Sequence, residues 1–139
     1  MKSKRFENKF ILRLDKGEEI VEMLKQFCRN NDIKLGTVSG IGATNKAVVG
    51  LFDVETKRYH SKELVGNHEI ASLYGNISTM NGEIYLHIHV NLCNSKHNSF
   101  GGHLNSAIVS ATFEAVIDII DGEIDRKFSD EIGLNLYEI

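Results

Sequence analysis

Along most of this chain, apolar and polar residues alternate with a period of two, and one stretch departs from that rhythm. The segment RFENKFILRL (Arg5–Leu14) sets Phe6, Phe10, Leu12 and Leu14 on one face of a predicted strand. The next segment, DKGEEIVEMLKQFCRNND, switches period. Ile20, Val21, Leu24, Phe27 and Cys28 fall at i, i+1, i+4, i+7 and i+8, the apolar stripe of a helix buried on one side. Asp15, with Glu18 three positions on, has the form of a capping box, and Asn30 and Asn31 suit the helix end. Strand-like segments then dominate: KLGTVSGIGA, KAVVGLFDV, KRYHSKEL, HEIASLYGNIS, EIYLHIHVNLC, SATFEAVIDII, EIDRKFS and LNLYEI. Asn81-Gly82 and Asp121-Gly122 are dipeptides suited to hairpin turns. HLNSAIVSA could hold a short second helix, a point periodicity leaves open. The pattern predicts an α+β protein with a mainly antiparallel sheet or barrel and one long packed helix.

Two imidazoles interrupt one of the most strand-like of these segments. In YLHIHVNLC, His87 and His89 lie two apart, so a strand points both to one face while Leu86, Ile88 and Val90 take the other. Their Cα atoms are then about 6.6 Å apart at the usual rise per residue. Both rings can reach one ion through Zn–N bonds of about 2.0 Å. A third ligand must come from elsewhere, and His103 in FGGHL is the natural candidate, with Gly101 and Gly102 before it permitting close backbone approach. The plainer reading is that these are surface or structural histidines with polar partners. Three nitrogen ligands would leave a fourth position for a water or a substrate. Cys93 shares the parity of the pair but lies about 13 Å from His89 by strand rise, and reads as a small core residue. His97 falls in a polar loop, and neither His60 nor His68 suggests a role. Glu69 and Glu114 are acids that strands could bring near the site, although no spacing places them there.

Other motifs carry less. Gly40-x-Gly42 in SGIGATNKA is a fragment of a dinucleotide-binding loop, but Asn45 stands at the third glycine and a strand-like AVVGLF follows where a helix should begin. A turn or bulge between strands accounts for it better. GEIYLHIHV resembles the cupin metal motif, yet VNLCNS supplies no glutamate after it.

The 139 residues hold no proline, no Gly/Ser-rich linker and no repeat, and read as one domain over 1–139. A formal charge of -3 gives no general attraction to phosphate backbones or anionic lipid. Two widely spaced cysteines are not a disulfide framework, no leader is readable in MKSKRFENKF, and no apolar run nears the roughly 20 residues of a membrane span. These features place the chain in the cytoplasm. No paired carboxylates and no nucleophile–base set argue for an enzyme.

Taken together, FILRLDKGEEIVEML, GTVSGIGATNKAVVGLFD, EIASLYGNIS, HIHVNLC, FGGHL and GLNLYEI resemble, in order, the plants-and-prokaryotes-conserved (PPC) domain, from Phe10 to Tyr137. The resemblance implies an α+β fold around an antiparallel sheet, assembled as a homotrimer. It also implies a stand-alone prokaryotic type, described as a candidate DNA-binding or regulatory module, with DNA or a protein as partner. In members with three histidines it implies a metal centre, which carries over here onto His87, His89 and His103, with zinc or another divalent transition metal as the cofactor. A zinc-dependent enzyme acting on a small molecule at that centre is the alternative. The basic, proline-containing hook by which plant relatives enter the DNA minor groove has no counterpart in this chain.

Overall fold

In the computed structural model, which describes all 139 residues, the order of elements is β1 (Lys2–Phe6), β2 (Lys9–Asp15), α1 (Ile20–Asn30), β3 (Gly36–Asp53), β4 (Arg58–Met80), β5 (Glu83–Cys93), β6 (Ser99–Ile119), β7 (Arg126–Ser129) and β8 (Leu134–Tyr137). Strands β1 to β6 form one sheet in the order β1-β2-β6-β3-β4-β5, antiparallel throughout, and a further β5–β6 pairing closes the last four into a ring. β7 and β8 form a separate two-stranded ribbon.

Closure depends on β6, which is long enough to serve two neighbours along one edge. Its first residues, Ser99–His103, pair with β5, and Thr112–Asp118 pair with β2. Between them the edge would leave backbone groups unpaired, which is costly away from water. The segment entering α1 fills that gap. Gly17 N–H donates to the Val109 carbonyl at 2.9 Å, and Val109 N–H to the Glu18 carbonyl at 3.0 Å. The Glu19 carboxylate accepts from Ala107 N–H at 2.7 Å and from Glu22 N–H at 2.6 Å, so one side chain fastens β6 and caps the helix.

The predicted helix is present but shorter, 11 residues, and it begins at Ile20 with Glu19 as its cap rather than at Asp15. Half of the expected capping box survives: Glu18 accepts from Asp15 N–H at 2.8 Å, but in the turn before the helix. Ile20, Leu24, Phe27 and Cys28 are buried against the sheet, and Phe27 meets Phe10 edge-to-face at 5.0 Å. Burial pushes the Cys28 thiol up to about 12, which leaves it an unreactive core residue.

Several predicted breaks turn out otherwise. Arg5–Leu14 is a hairpin, not one strand, turning at Glu7 with φ 51°, and Phe6 stays half exposed. The two segments around Gly40-x-Gly42 are one 18-residue strand with register shifts at Gly40/Gly42 and Thr44/Lys46. A Cβ at Gly42 would stand 2.3 Å from the Thr112 carbonyl oxygen, so the glycine is required by close strand packing and not by a nucleotide. HLNSAIVSA is strand, part of β6. Asn81-Gly82 is the two-residue hairpin turn expected, with φ of 54° and 79°, whereas Asp121-Gly122 opens the connection to β7. No helix is long and apolar enough to cross a membrane.

Candidate metal centre

On β5 the even-numbered residues Ile84, Ile88, Val90 and Leu92 are buried in the core, so Tyr85, His87, His89 and Asn91 take the outer face. Register does the rest. His89 is directly opposite His103 in the β5–β6 pairing. The glycine pair lets this happen: a Cβ at Gly101 would meet the Val90 carbonyl oxygen at 2.6 Å, and one at Gly102, whose φ is +151°, would meet that of Gly50 at 2.6 Å.

The three rings converge. Their centroids are 5.1 Å (His87–His89), 5.4 Å (His87–His103) and 5.7 Å (His89–His103) apart. One nitrogen from each lies within 4.8 Å of the others. Nε2 of His87 and Nε2 of His89 are 3.2 Å apart. Two nitrogens bound tetrahedrally to one zinc at about 2.0 Å are separated by about 3.3 Å, so this pair already has the spacing of two ligands. His89 is exposed and the other two are half-buried. Burial lowers the pKa of His87 and His103. Repulsion adds to it, from His103, His89 and Arg126 on His87 and from His89 on His103. The lowered values favour the neutral imidazole, which is the form that ligates a metal.

Around the histidines stand residues that strand patterns did not reveal. Tyr59 sets its ring edge-on to His103 at 6.4 Å, and its hydroxyl donates to Asn105 Oδ1 at 2.6 Å. Arg126, a buried cation on β7, lies between the rings of Tyr85 at 4.8 Å and Tyr137 at 4.2 Å. Its Nε donates to Ser78 Oγ at 2.8 Å and its Nη1 to the Asn135 carbonyl at 2.9 Å. In sequence, Arg126 and Lys127 are merely a basic pair; the only trace is that Arg126 shares strand parity with Phe128.

Cys93 is half-buried on the outer face, not in the core, with Sγ 3.9 Å from Ser99 Oγ, and it does not join the histidines. His97 is exposed on its loop. His68 packs edge-on against Phe100, and neither it nor His60 belongs to the cluster. Glu69 and Glu114 both line a hollow of about 330 Å³ with Ile41 and Thr112, and neither belongs to the histidine cluster.

The outer face continues away from the centre as a cross-strand row. Ile11, Val116, Ser39, Tyr74 and His89 are successive partners on β2, β6, β3, β4 and β5, and His103 follows on β6. Ile11 and Tyr74 of this row, with Ile41 next to it, are 44 %, 59 % and 60 % exposed and line a shallow hollow of about 500 Å³.

Fold and site together define an α+β protein that displays three convergent histidines on the outside of a closed antiparallel sheet. The family model described as the Plants and Prokaryotes Conserved (PCC) domain matches residues 1–121, and the chain belongs to that family, the one abbreviated PPC above. Three solved structures show how far the likeness extends. A candidate DNA-binding protein from Bacteroides thetaiotaomicron is 36 % identical at a TM-score of 0.96, over 99 % of this chain and 96 % of that one. A plant- and prokaryote-conserved protein from Pyrococcus horikoshii is 33 % identical at 0.87, over 99 % and 94 %. A metal-containing protein from Archaeoglobus fulgidus is 38 % identical at 0.88, over the full length of both. No curated protein matches the chain.

Proposed function

We propose that this chain, as one unit over residues 1–139, is a metal-binding PPC module whose ion, zinc by preference, is held by His87, His89 and His103. The observation that carries this is the convergence of three imidazole nitrogens, two of them 3.2 Å apart. Imidazole donors suit zinc and its late first-row neighbours better than magnesium or calcium, which take oxygen. The description of the Archaeoglobus fulgidus relative as metal-containing supports the reading. Such a centre keeps one position for an exchangeable ligand, the arrangement of zinc sites that bind or transform small molecules rather than of those that only tie a fold together. Elemental analysis of protein purified without chelator tests it: about one zinc per chain is expected, and protein that remains metal-free after zinc is offered would refute the centre.

A homotrimer is the assembly we infer for it. The half-exposed Ile11, Ile41 and Tyr74 form an apolar face beside the histidines that a second copy would cover. Ile41→Arg places a charge at the middle of that face. Sedimentation should show a trimer for the wild type and a monomer for the variant; an unchanged trimer would move the interface elsewhere.

Contact with DNA, the description given to the Bacteroides thetaiotaomicron relative, has less physical support in this chain. Lys2, Lys4, Lys9 and Arg13 share one face of the β1–β2 hairpin. Lys9 is paired with Asp118, however, and Arg13 with Asp15 at 3.3 Å, so little charge is left to neutralise phosphates. A regulatory module answering to a small ligand at the metal fits the geometry better. Two unpaired thiols, one of them deeply buried, suit a reducing cytoplasm.

A further inference from the structure

Charge around the three histidines is unbalanced. Imidazole ligands are neutral, so a divalent ion held by them keeps both its charges, and the cluster includes no carboxylate or thiolate to offset them. Arg126 adds a third. It is 7 % exposed, makes no ion pair, and is held by two tyrosine faces, a serine hydroxyl and a backbone carbonyl, all uncharged. A guanidinium does not shed its proton, so it stays cationic where it is buried. Of the acids nearest in sequence, Glu123 pairs with Lys34 at 3.3 Å, and neither it nor Asp125 forms an ion pair with Arg126. Arg126 also stacks on Tyr85, which shares the outer face of β5 with His87 two positions away. Its ribbon follows residue 121, where the family match ends, so this charge is supplied by the part of the chain beyond that match.

We propose that the open position of the metal centre takes an anionic oxygen ligand, a carboxylate or a phosphate, and that the buried charge of Arg126 sets this preference over neutral ligands. The inference rests on the three-histidine centre and specifies what that centre binds. Excess positive charge in a partly dry site favours an anion far more than the same charge in water would.

The test uses the full chain loaded with cobalt(II), whose visible absorption reports the ligands around the ion. Acetate, methyl phosphate and acetamide are titrated separately at constant ionic strength. Saturable spectral change with acetate or methyl phosphate but not with acetamide is expected, and whichever anion binds tells a carboxylate ligand from a phosphoryl one. Arg126→Gln should weaken the anion about tenfold or more, while Arg126→Lys, which keeps the charge, should stay within about threefold of wild type. A loaded wild-type protein indifferent to both anions would overturn the proposal, as would equal losses in the Gln and Lys variants. If Arg126→Gln fails to fold, the acetate–acetamide comparison and the Lys variant still decide. Failure to load cobalt at all is a different result, since it removes the metal centre itself.

Discussion

His89→Ala should lower zinc affinity by two to three orders of magnitude while the protein stays folded. Structural zinc sites with four ligands bind with about 10–16 kcal/mol, so each ligand accounts for about 2.5–4 kcal/mol. With only His87 and His103 left, zinc should be lost on dialysis against a weak chelator. The fold should not notice, because His89 is exposed and surface substitutions usually cost less than about 0.5 kcal/mol. His97→Ala is the matched control, an exposed histidine on the loop that leads into β6. Elemental analysis and thermal unfolding of both variants give the comparison. Full zinc retention in His89→Ala would take His89 out of the ligand set, and equal loss in both would mean adventitious surface binding.

Gly102→Ala carries the second large effect, and it should strike fold and metal together. The glycine sits at φ +151°, where side chains are strained, and its new Cβ would press on the Gly50 backbone oxygen from 2.6 Å. Strain and displacement together should cost about 2–4 kcal/mol, or a fall in Tm of about 8–16 °C for a chain of this size. Because Gly102 precedes His103, the shift in β6 should also weaken zinc binding. Gly66→Ala separates the two causes. Gly66 has φ +105° but nothing within 4 Å of a Cβ, so it should show the backbone penalty alone and keep its zinc. If Gly102→Ala is no worse than Gly66→Ala, close packing of β6 on β3 is not what holds His103 in place.

What could be read in advance follows from what a period of two encodes. Parity alone put His87 and His89 on one face with Ile88 and Val90 behind them, and the double glycine flagged His103. The direct His89–His103 pairing needed a register, which no local pattern contains. The break signal at Gly40-x-Gly42 misled because a glycine marks a bulge inside a long strand as readily as a turn between short ones. The helix start was misplaced because Glu19 caps it while also bonding Ala107, a partner 88 residues away. Arg126 was invisible for a similar reason. Nothing near it in sequence announces that Tyr85 and Tyr137 will close over its guanidinium.

The connection Asn94–Asn98 between β5 and β6 looks like the most dispensable part of the chain, polar and on the surface. The Asn94 side chain folds it up, accepting from the N–H groups of Lys96 and Asn98 at 3.0 and 3.1 Å. Its length, however, fixes which residue faces His89. One residue added there and passed on into the ladder would set His103 against Ile88, pointing into the core, and one removed would set it against Val90, pointing inward again. Drift in this loop is therefore tolerated in composition but not in length: polar residues can be exchanged freely, whereas a single-codon insertion or deletion would dismantle the histidine cluster without touching a histidine.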